Sequence, residues 1–120
     1  MKKWKICVAL LAISLAGKAQ IEIKVEDAAK HVGDSVKVCT KIYGGRYFED
    51  SKTSPTLLNA GAKFPNAPLT LVIFGNKRTA FKNKPETYYI DKEVCITGKI
   101  ILYKDKPEII LESEDQIVVK

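Results

Sequence analysis

The sequence predicts a small all-β domain: a five-stranded Greek-key barrel with a short helical insertion between its third and fourth strands. Two segments, residues 36–43 and 93–103, alternate apolar and polar side chains with period two, which is typical of strands covered on one face. Three shorter apolar segments complete the set, and Gly- and Pro-containing turns punctuate the chain. A small β-sandwich is the alternative architecture.

The first 19 residues have the pattern of a cleaved secretory signal peptide. Three lysines precede an apolar run at 6–17, which is too short for a hydrocarbon core of ~30 Å. Small residues at 17 and 19 predict cleavage after Ala19; a retained anchor or a buried N-terminal helix is the alternative. Lys18 stands where a lipobox needs cysteine, so we expect no membrane anchor. The sequence thus predicts a secreted or periplasmic protein with one domain at 20–120.

Cleavage after Ala19 would also lower the net positive charge of the protein. The full chain carries +6, whereas residues 20–120 hold 16 basic and 14 acidic side chains, a formal charge of +2. The remaining charge is uneven: residues 36–104 carry +7, residues 20–35 carry −2 and residues 105–120 carry −3. Such a field favours a polyanion on one face, although ordinary charge scatter on a soluble surface explains the same composition.

The first half of the domain predicts one short helix and three strands. Residues 26–32 have apolar side chains at helical spacing before Gly33, which predicts one or two helical turns. The strand at 36–43 is expected to end at Gly44-Gly45 and to lead into a polar loop over 46–55. The second and third strands are expected at 56–59 and 69–74.

The second half predicts the insertion and the remaining strands. Asn76 is expected to cap a helix over 77–82, and Pro85 to open a further turn. The fourth strand, 93–103, places four apolar residues on one side: Val94, Ile96, Ile100 and Leu102. A tight connection at 104–107 leads to a fifth strand at 108–111, and 117–119 is a further apolar segment. This order of elements is that of an OB-fold.

Two cysteines, Cys39 and Cys95, remain after cleavage, in an oxidising compartment where disulfides persist. Both point outward from strands that are neighbours in an OB barrel, so one disulfide is predicted, worth roughly 4 kcal/mol on the chain-entropy model. Two separate buried thiols are the alternative. With a single histidine, His31, and no closely spaced cysteine pair, we expect no metal site and no cofactor.

Two motifs carry a resemblance to a known family. They are residues 29–39 (AKHVGDSVKVC), and residues 94–100 (VCITGKI) with Tyr103 and 107–109 (PEI). Together they frame residues 28–118. The chain resembles small OB-fold proteins with barrels of the nucleic-acid-binding type, found exported or fused to secreted nuclease domains. In the second motif Gly98 permits the strong coiling that a small barrel demands.

The resemblance implies a ligand across the second and third strands, between the first long loop and the loop that joins strands four and five. The matching positions are Arg46, Tyr47, Phe48 and Lys52 in the first loop, and Tyr103, Lys104 and Lys106 in the second. Cations that follow phosphates and aromatic faces that stack bases are what single-stranded nucleic acid needs. The alternative is that the aromatic residues close the barrel mouth and the lysines are ordinary hairpin residues.

Catalysis is not expected. Phosphodiester hydrolysis needs carboxylates for a divalent metal, a base for water and arginines for the phosphate, and the chain has only Arg46 and Arg78. His31, the sole imidazole, lies near a predicted helix end and is interpreted as structural. A denser basic cluster, Lys77, Arg78, Lys82 and Lys84, belongs to the insertion and is as well explained as a solvated face.

The sequence therefore predicts a non-catalytic, monomeric, exported OB-fold module for single-stranded nucleic acid or another extended polyanion, with low sequence specificity. Two alternatives stay open. One is an envelope domain that binds a protein through a barrel edge or the loop face. The other is a domain that binds an oligosaccharide or small ligand on the same face.

Overall fold

A computed structural model describes residues 20–120 of the protein, and they are mostly β-structure. The strands are β1 (Ile21–Ile23), β2 (Ser35–Tyr47), β3 (Thr56–Ala60), β4 (Leu69–Ile73), β5 (Glu93–Tyr103), β6 (Lys106–Ile110) and β7 (Ile117–Val119). Two single-turn α-helices, α1 (Gly75–Arg78) and α2 (Pro85–Tyr88), lie between β4 and β5. Two 3-10 helices span Val25–His31 and Glu114–Gln116. The predicted signal peptide lies outside the described residues.

The strands form one seven-stranded sheet, in which the pairings link five strands in a ring. β2 pairs antiparallel with both β3 and β5, β3 with β4, and β5 with β6. The ring is completed by β4 and β6, which are parallel over three residue pairs. The predicted contact between the first and fourth strands, now β2 and β5, is confirmed. The strand count is corrected, because β1 adds to β2 in parallel and β7 adds to β5 outside the ring.

The inner face of this ring is the core. The fully buried residues of β2 and β5 all stand at alternate positions, as the period-two pattern predicts, and they pack with inner residues of β3, β4 and β6. Val94, Ile96 and Ile100 face inward as expected, but Leu102 is 50% exposed. Leu102 pairs with Pro107 at the end of the β5–β6 hairpin, where the ring no longer covers it.

The disulfide prediction is confirmed. Cys39 of β2 lies directly opposite Cys95 of β5 in the antiparallel register, and the two sulfur atoms are bonded. Both side chains alternate with buried core residues, so the bond lies on the outer face of the sheet. The alternative of two separate thiols is excluded.

β2 does not end at Gly44-Gly45, as predicted, but continues to Tyr47. The register between β2 and β3 shifts between Ile42 and Gly44, and pairing then resumes as far as Tyr47. A Cβ atom on Gly45 would lie 2.9 Å from a methyl carbon of Leu58 and 3.2 Å from the backbone of Glu86. The glycine therefore allows a close approach within the sheet. The first long loop shrinks to residues 48–55.

The helical insertion is shorter than predicted. The expected helix over 77–82 is wrong: α1 ends at Arg78, and its N-cap is Phe74 rather than Asn76. The backbone N–H of Gly75 donates to the Thr53 carbonyl over 2.9 Å, which holds the start of α1 against the first loop. The chain then turns to bury Phe81, which is only 6% exposed. The predicted turn at Pro85 is confirmed as α2.

The helical segment before β2 is confirmed as the first 3-10 helix, which begins and ends one residue earlier than predicted. His31 lies in its last turn, and its Nδ1 atom is 3.1 Å from a carboxylate oxygen of Asp34. This contact supports the structural interpretation of the histidine. Within residues 20–120, helices are all too short or too polar to cross a bilayer.

Candidate functional site

The outer face of β3 and β4 forms the floor of a groove. Leu57 and Val72 lie opposite each other in these strands, with Arg46 of β2 next to Leu57 and Ile110 of β6 next to Val72. All four alternate with inward-facing residues of the ring, so their side chains lie on the outer face. This is the face on which the resemblance places a ligand.

The groove has a volume of about 440 Å³ and a mainly apolar lining. Its walls come from the first loop on one side and from the β5–β6 hairpin on the other. The lining residues are Phe48, Ser51, Thr53, Pro55, Leu57, Val72, Phe74, Tyr103 and Glu108. Of the seven residues predicted for the site, Phe48 and Tyr103 therefore line one groove, although 55 positions in the chain separate them.

A cationic side chain of another residue lies over each of these two aromatic rings. The guanidinium carbon of Arg46 lies 4.7 Å from the centre of the Phe48 ring, and Nζ of Lys104 lies 5.4 Å from the centre of the Tyr103 ring. Contacts of this kind hold a cation beside an aromatic face through the ring quadrupole. Both groove walls thus combine a flat ring with a positive charge.

Two further predicted residues lie beside the groove. Lys106 is exposed and pairs with Tyr103 across the β5–β6 hairpin. Lys52 lines an adjoining cleft of about 500 Å³, which shares Thr53 and Phe74 with the groove. Phe48 and Tyr103 thus line the groove, Arg46, Lys104 and Lys106 lie beside it, and Lys52 lines the adjoining cleft.

Tyr47 is the exception. Its ring lies 3.7 Å from the guanidinium carbon of Arg78, and both residues line a separate cleft with Lys82 and Lys84. Because successive residues of a strand point to opposite faces, Tyr47 and Arg46 are directed to different sides of β2. The structure thus places Tyr47 at the end of β2, where its ring packs on the helical insertion and not at the groove.

Arg78 itself is held in a structural cluster. Its two terminal nitrogens donate to the two carboxylate oxygens of Glu86 over 2.8 and 2.9 Å, and one of them also donates to the buried Thr56 hydroxyl over 2.7 Å. The hydrogen bonds from Arg78 lower the pKa of Glu86, and those to Glu86 raise the pKa of Arg78. This ion pair joins α1 to α2 and to the start of β3, so the basic cluster of the insertion has one cation fewer for a ligand.

Glu108 is a groove residue that sequence reasoning did not single out. It lies on β6 between Thr70 of β4 and Ile101 of β5, and it is half-buried. Burial raises the pKa of its carboxyl group, the direction expected for an acid that loses water. The signal was present in the alternation of residues 106–110, which puts Glu108 on the same outer face as Lys106.

The described residues offer neither a metal-binding cluster nor a free thiol at the groove. Among residues 20–120, no group of three or more His, Cys, Asp or Glu side chains is placed to hold a metal ion. The two cysteines in this part of the chain are bonded to each other. The groove therefore offers aromatic, cationic, hydroxyl and carboxylate groups.

Comparison with known proteins shows a relationship at the level of the fold. No protein-family model and no curated protein matches the sequence. Among solved structures, the chain is similar to the crystal structure of a proposed aspartyl-tRNA synthetase from Leishmania major Friedlin, with a TM-score of 0.53 and 8% sequence identity over 85% of this chain. The match covers 21% of that protein, so the chain spans about a fifth of its length. At this identity the similarity concerns the fold alone.

Proposed function

We propose that the chain is a non-catalytic OB-fold module that binds single-stranded nucleic acid in the groove across β3 and β4. The fold assignment rests on the ring of β2, β3, β4, β6 and β5, with the helical insertion between β4 and β5. The similarity in fold to a protein named for tRNA is consistent with a nucleic-acid ligand.

The observation that carries the proposal is the pairing of two aromatic rings with two cations on one groove. Phe48 and Tyr103 line the groove, and Arg46 and Lys104 lie beside them. Base stacking on an aromatic side chain contributes ~1–3 kcal/mol and tolerates any base, because every base has a π-face. Cations at the edges neutralise the phosphates, which contributes affinity independent of sequence.

We propose binding rather than catalysis, because the imidazole and the two thiols of residues 20–120 lie outside the groove and are engaged elsewhere. The imidazole of His31 is within hydrogen-bond distance of Asp34 at the end of the first 3-10 helix, and Cys39 and Cys95 form a disulfide. The disulfide also supports export, because such bonds persist in oxidising compartments. We therefore propose that the module acts outside the cytoplasm after cleavage of residues 1–19, and that it acts as a monomer.

A binding titration tests the proposal. Fluorescence anisotropy with a labelled dT oligonucleotide of about 12 nucleotides suits a single OB-fold, whose site is roughly 4–16 nucleotides. We expect Phe48→Ala and Tyr103→Ala each to weaken binding about 5- to 150-fold, the equivalent of one lost stack. Tyr88→Ala is the matched control, since Tyr88 is an exposed ring with Lys92 over it at 4.2 Å but lies outside the groove.

Salt dependence separates nucleic acid from a neutral ligand. Between about 50 and 200 mM salt, the logarithm of the association constant should fall linearly with the logarithm of the salt concentration. Each phosphate neutralised should contribute ~0.7 to the steepness of that slope. Lys104→Gln with Lys106→Gln should reduce that slope by about 1.4. Absence of binding at the lower salt, or equal losses in the Tyr88→Ala control, would refute the proposal. Salt-independent binding of a neutral oligosaccharide would replace it with the alternative ligand class.

One observation favours protein binding as a second candidate function. The outermost strands, β1 and β7, carry exposed apolar side chains: Ile21 is 46% exposed and Val118 is 56% exposed. An edge strand can accept a strand from another chain through backbone hydrogen bonds. In that case a pull-down should recover a protein whose amount nuclease treatment does not change, and Phe48→Ala should leave the capture intact.

A further inference from the structure

The negative charge of Glu108 is unfavourable in a groove that binds polyanions, because it repels phosphate groups. Among the residues that line the groove it alone has a carboxyl group, and it lies on the outer face of β6, beside Thr70 of β4. A half-buried carboxylate repels a phosphate more strongly than an exposed one, because the surrounding dielectric is lower. A strand bound here must therefore place its phosphates away from Glu108.

The cations of the groove are placed to receive those phosphates. Arg46 lies over the Phe48 ring on one wall and Lys104 over the Tyr103 ring on the other. With phosphates drawn to the walls, the bases are directed to the floor, where Leu57 and Val72 provide an apolar surface. The Watson–Crick edge of a base seated between the walls then meets the Glu108 carboxylate.

The chemistry of a carboxylate selects among the bases. An ionised carboxylate only accepts hydrogen bonds, and it does so through two oxygens. Guanine presents two adjacent donors on its Watson–Crick edge, N1–H and the N2 amino group, which match those two oxygens. Thymine and uracil present a single N3–H between two carbonyl oxygens, which a carboxylate repels. Burial raises the pKa of Glu108, as expected for a carboxylate that no strong hydrogen-bond donor of the protein stabilises.

We infer that Glu108 is a specificity-determining residue that accepts hydrogen bonds from a guanine base held in the groove. The inference rests on the proposed function, since it names the base that the same groove prefers. Hydroxyl groups of Ser51 and Thr53 line the groove as well, but they donate and accept equally and do not discriminate between bases.

Three oligonucleotides that differ at one position provide the test: a dT strand, the same strand with one central dG, and the same strand with deoxyinosine at that position. Deoxyinosine lacks only the 2-amino group of guanine. We expect the dG strand to bind about 5- to 150-fold more tightly than the dT strand, the range of a good bidentate contact. The deoxyinosine strand should fall between them.

Glu108→Gln is the matched protein variant, because it keeps the size of the side chain and replaces one acceptor oxygen by a donor. It should abolish the preference for dG while it still binds the dT strand. Equal binding of the dG and dT strands by the wild-type protein, or a dG preference that persists in Glu108→Gln, overturns the inference and leaves the proposed function standing. Absence of binding to all three strands overturns both.

Discussion

Removal of the disulfide is predicted to destabilise the protein without abolishing its fold. Cys39 and Cys95 are separated by 56 positions, and the bond closes a loop of that length in the unfolded chain, which lowers the conformational entropy of the unfolded state. On the chain-entropy model, −2.1 − 1.5R ln n cal/mol/K at 25 °C corresponds to about 4 kcal/mol for this loop. A domain of this size is stable by roughly 5–15 kcal/mol, so the double variant Cys39→Ala/Cys95→Ala should remain folded.

The native pairing supports this expectation. β2 and β5 are joined by seven paired positions, Ser35 to Lys41 with Glu93 to Lys99, and only one of these pairs is the disulfide. Urea unfolding followed by far-UV circular dichroism measures the effect. With an m-value of about 1–1.5 kcal/mol/M, the midpoint should fall by about 3–4 M.

Reduction provides the control. Dithiothreitol should lower the stability of the wild-type protein to that of the double variant and leave the double variant unchanged. A loss below about 1 kcal/mol would refute the reasoning, since it would mean that the bond does not restrict the unfolded chain as the loop length requires. Equal sensitivity of both proteins to dithiothreitol would refute it as well.

Three further predictions concern stability and pH. Arg78 lowers the pKa of Glu86, so this pair should stabilise the fold above the ordinary glutamate pKa and lose its effect as the pH falls through the lowered value. Urea unfolding from pH 7 to pH 2 should show a flatter profile for Glu86→Gln, which at pH 7 should cost about 1.5–3 kcal/mol, because the amide retains one acceptor for Arg78 and loses the charge. Burial raises the pKa of Glu108, so Glu108→Gln should be more stable than the wild type at pH 7, and this advantage should vanish at low pH, where both side chains are neutral; an unchanged difference across the range would contradict it. Gly98→Ala would place a Cβ atom 2.6 Å from a methyl carbon of Ile109 and should cost about 1–3 kcal/mol in thermal unfolding; an unchanged melting temperature would show that β6 yields freely.

Much of the fold was predictable because its strands are covered on one face. Alternation in residues 36–43 and 93–103 identified the two long strands and the direction of their buried side chains. The same alternation put Cys39 and Cys95 on the outer face, where they are bonded. These features follow from local periodicity, which most positions of the two strands display; Leu102, at the end of β5, departs from it.

The errors arose where a distant partner decides the conformation. Glycines often mark the end of a strand, but Gly45 lies within β2 because it pairs with Leu58 of β3, and the close approach of Leu58 and Glu86 leaves no room for a side chain there. The helix over 77–82 was expected from local capping signals, whereas α1 is positioned by a hydrogen bond to Thr53. Contacts between residues so far apart in the chain leave no local signal.

For the candidate site, the types of side chain were already evident in the sequence: aromatic and cationic residues in two segments far apart in the chain. That Phe48 and Tyr103 line one groove, together with Glu108, is evident only from the folded chain. The fold likewise shows that Tyr47, next to Phe48 in the chain, packs instead on Arg78. The physical reason is that chemical character belongs to each residue, whereas proximity depends on strand register, which assigns neighbouring side chains to opposite faces.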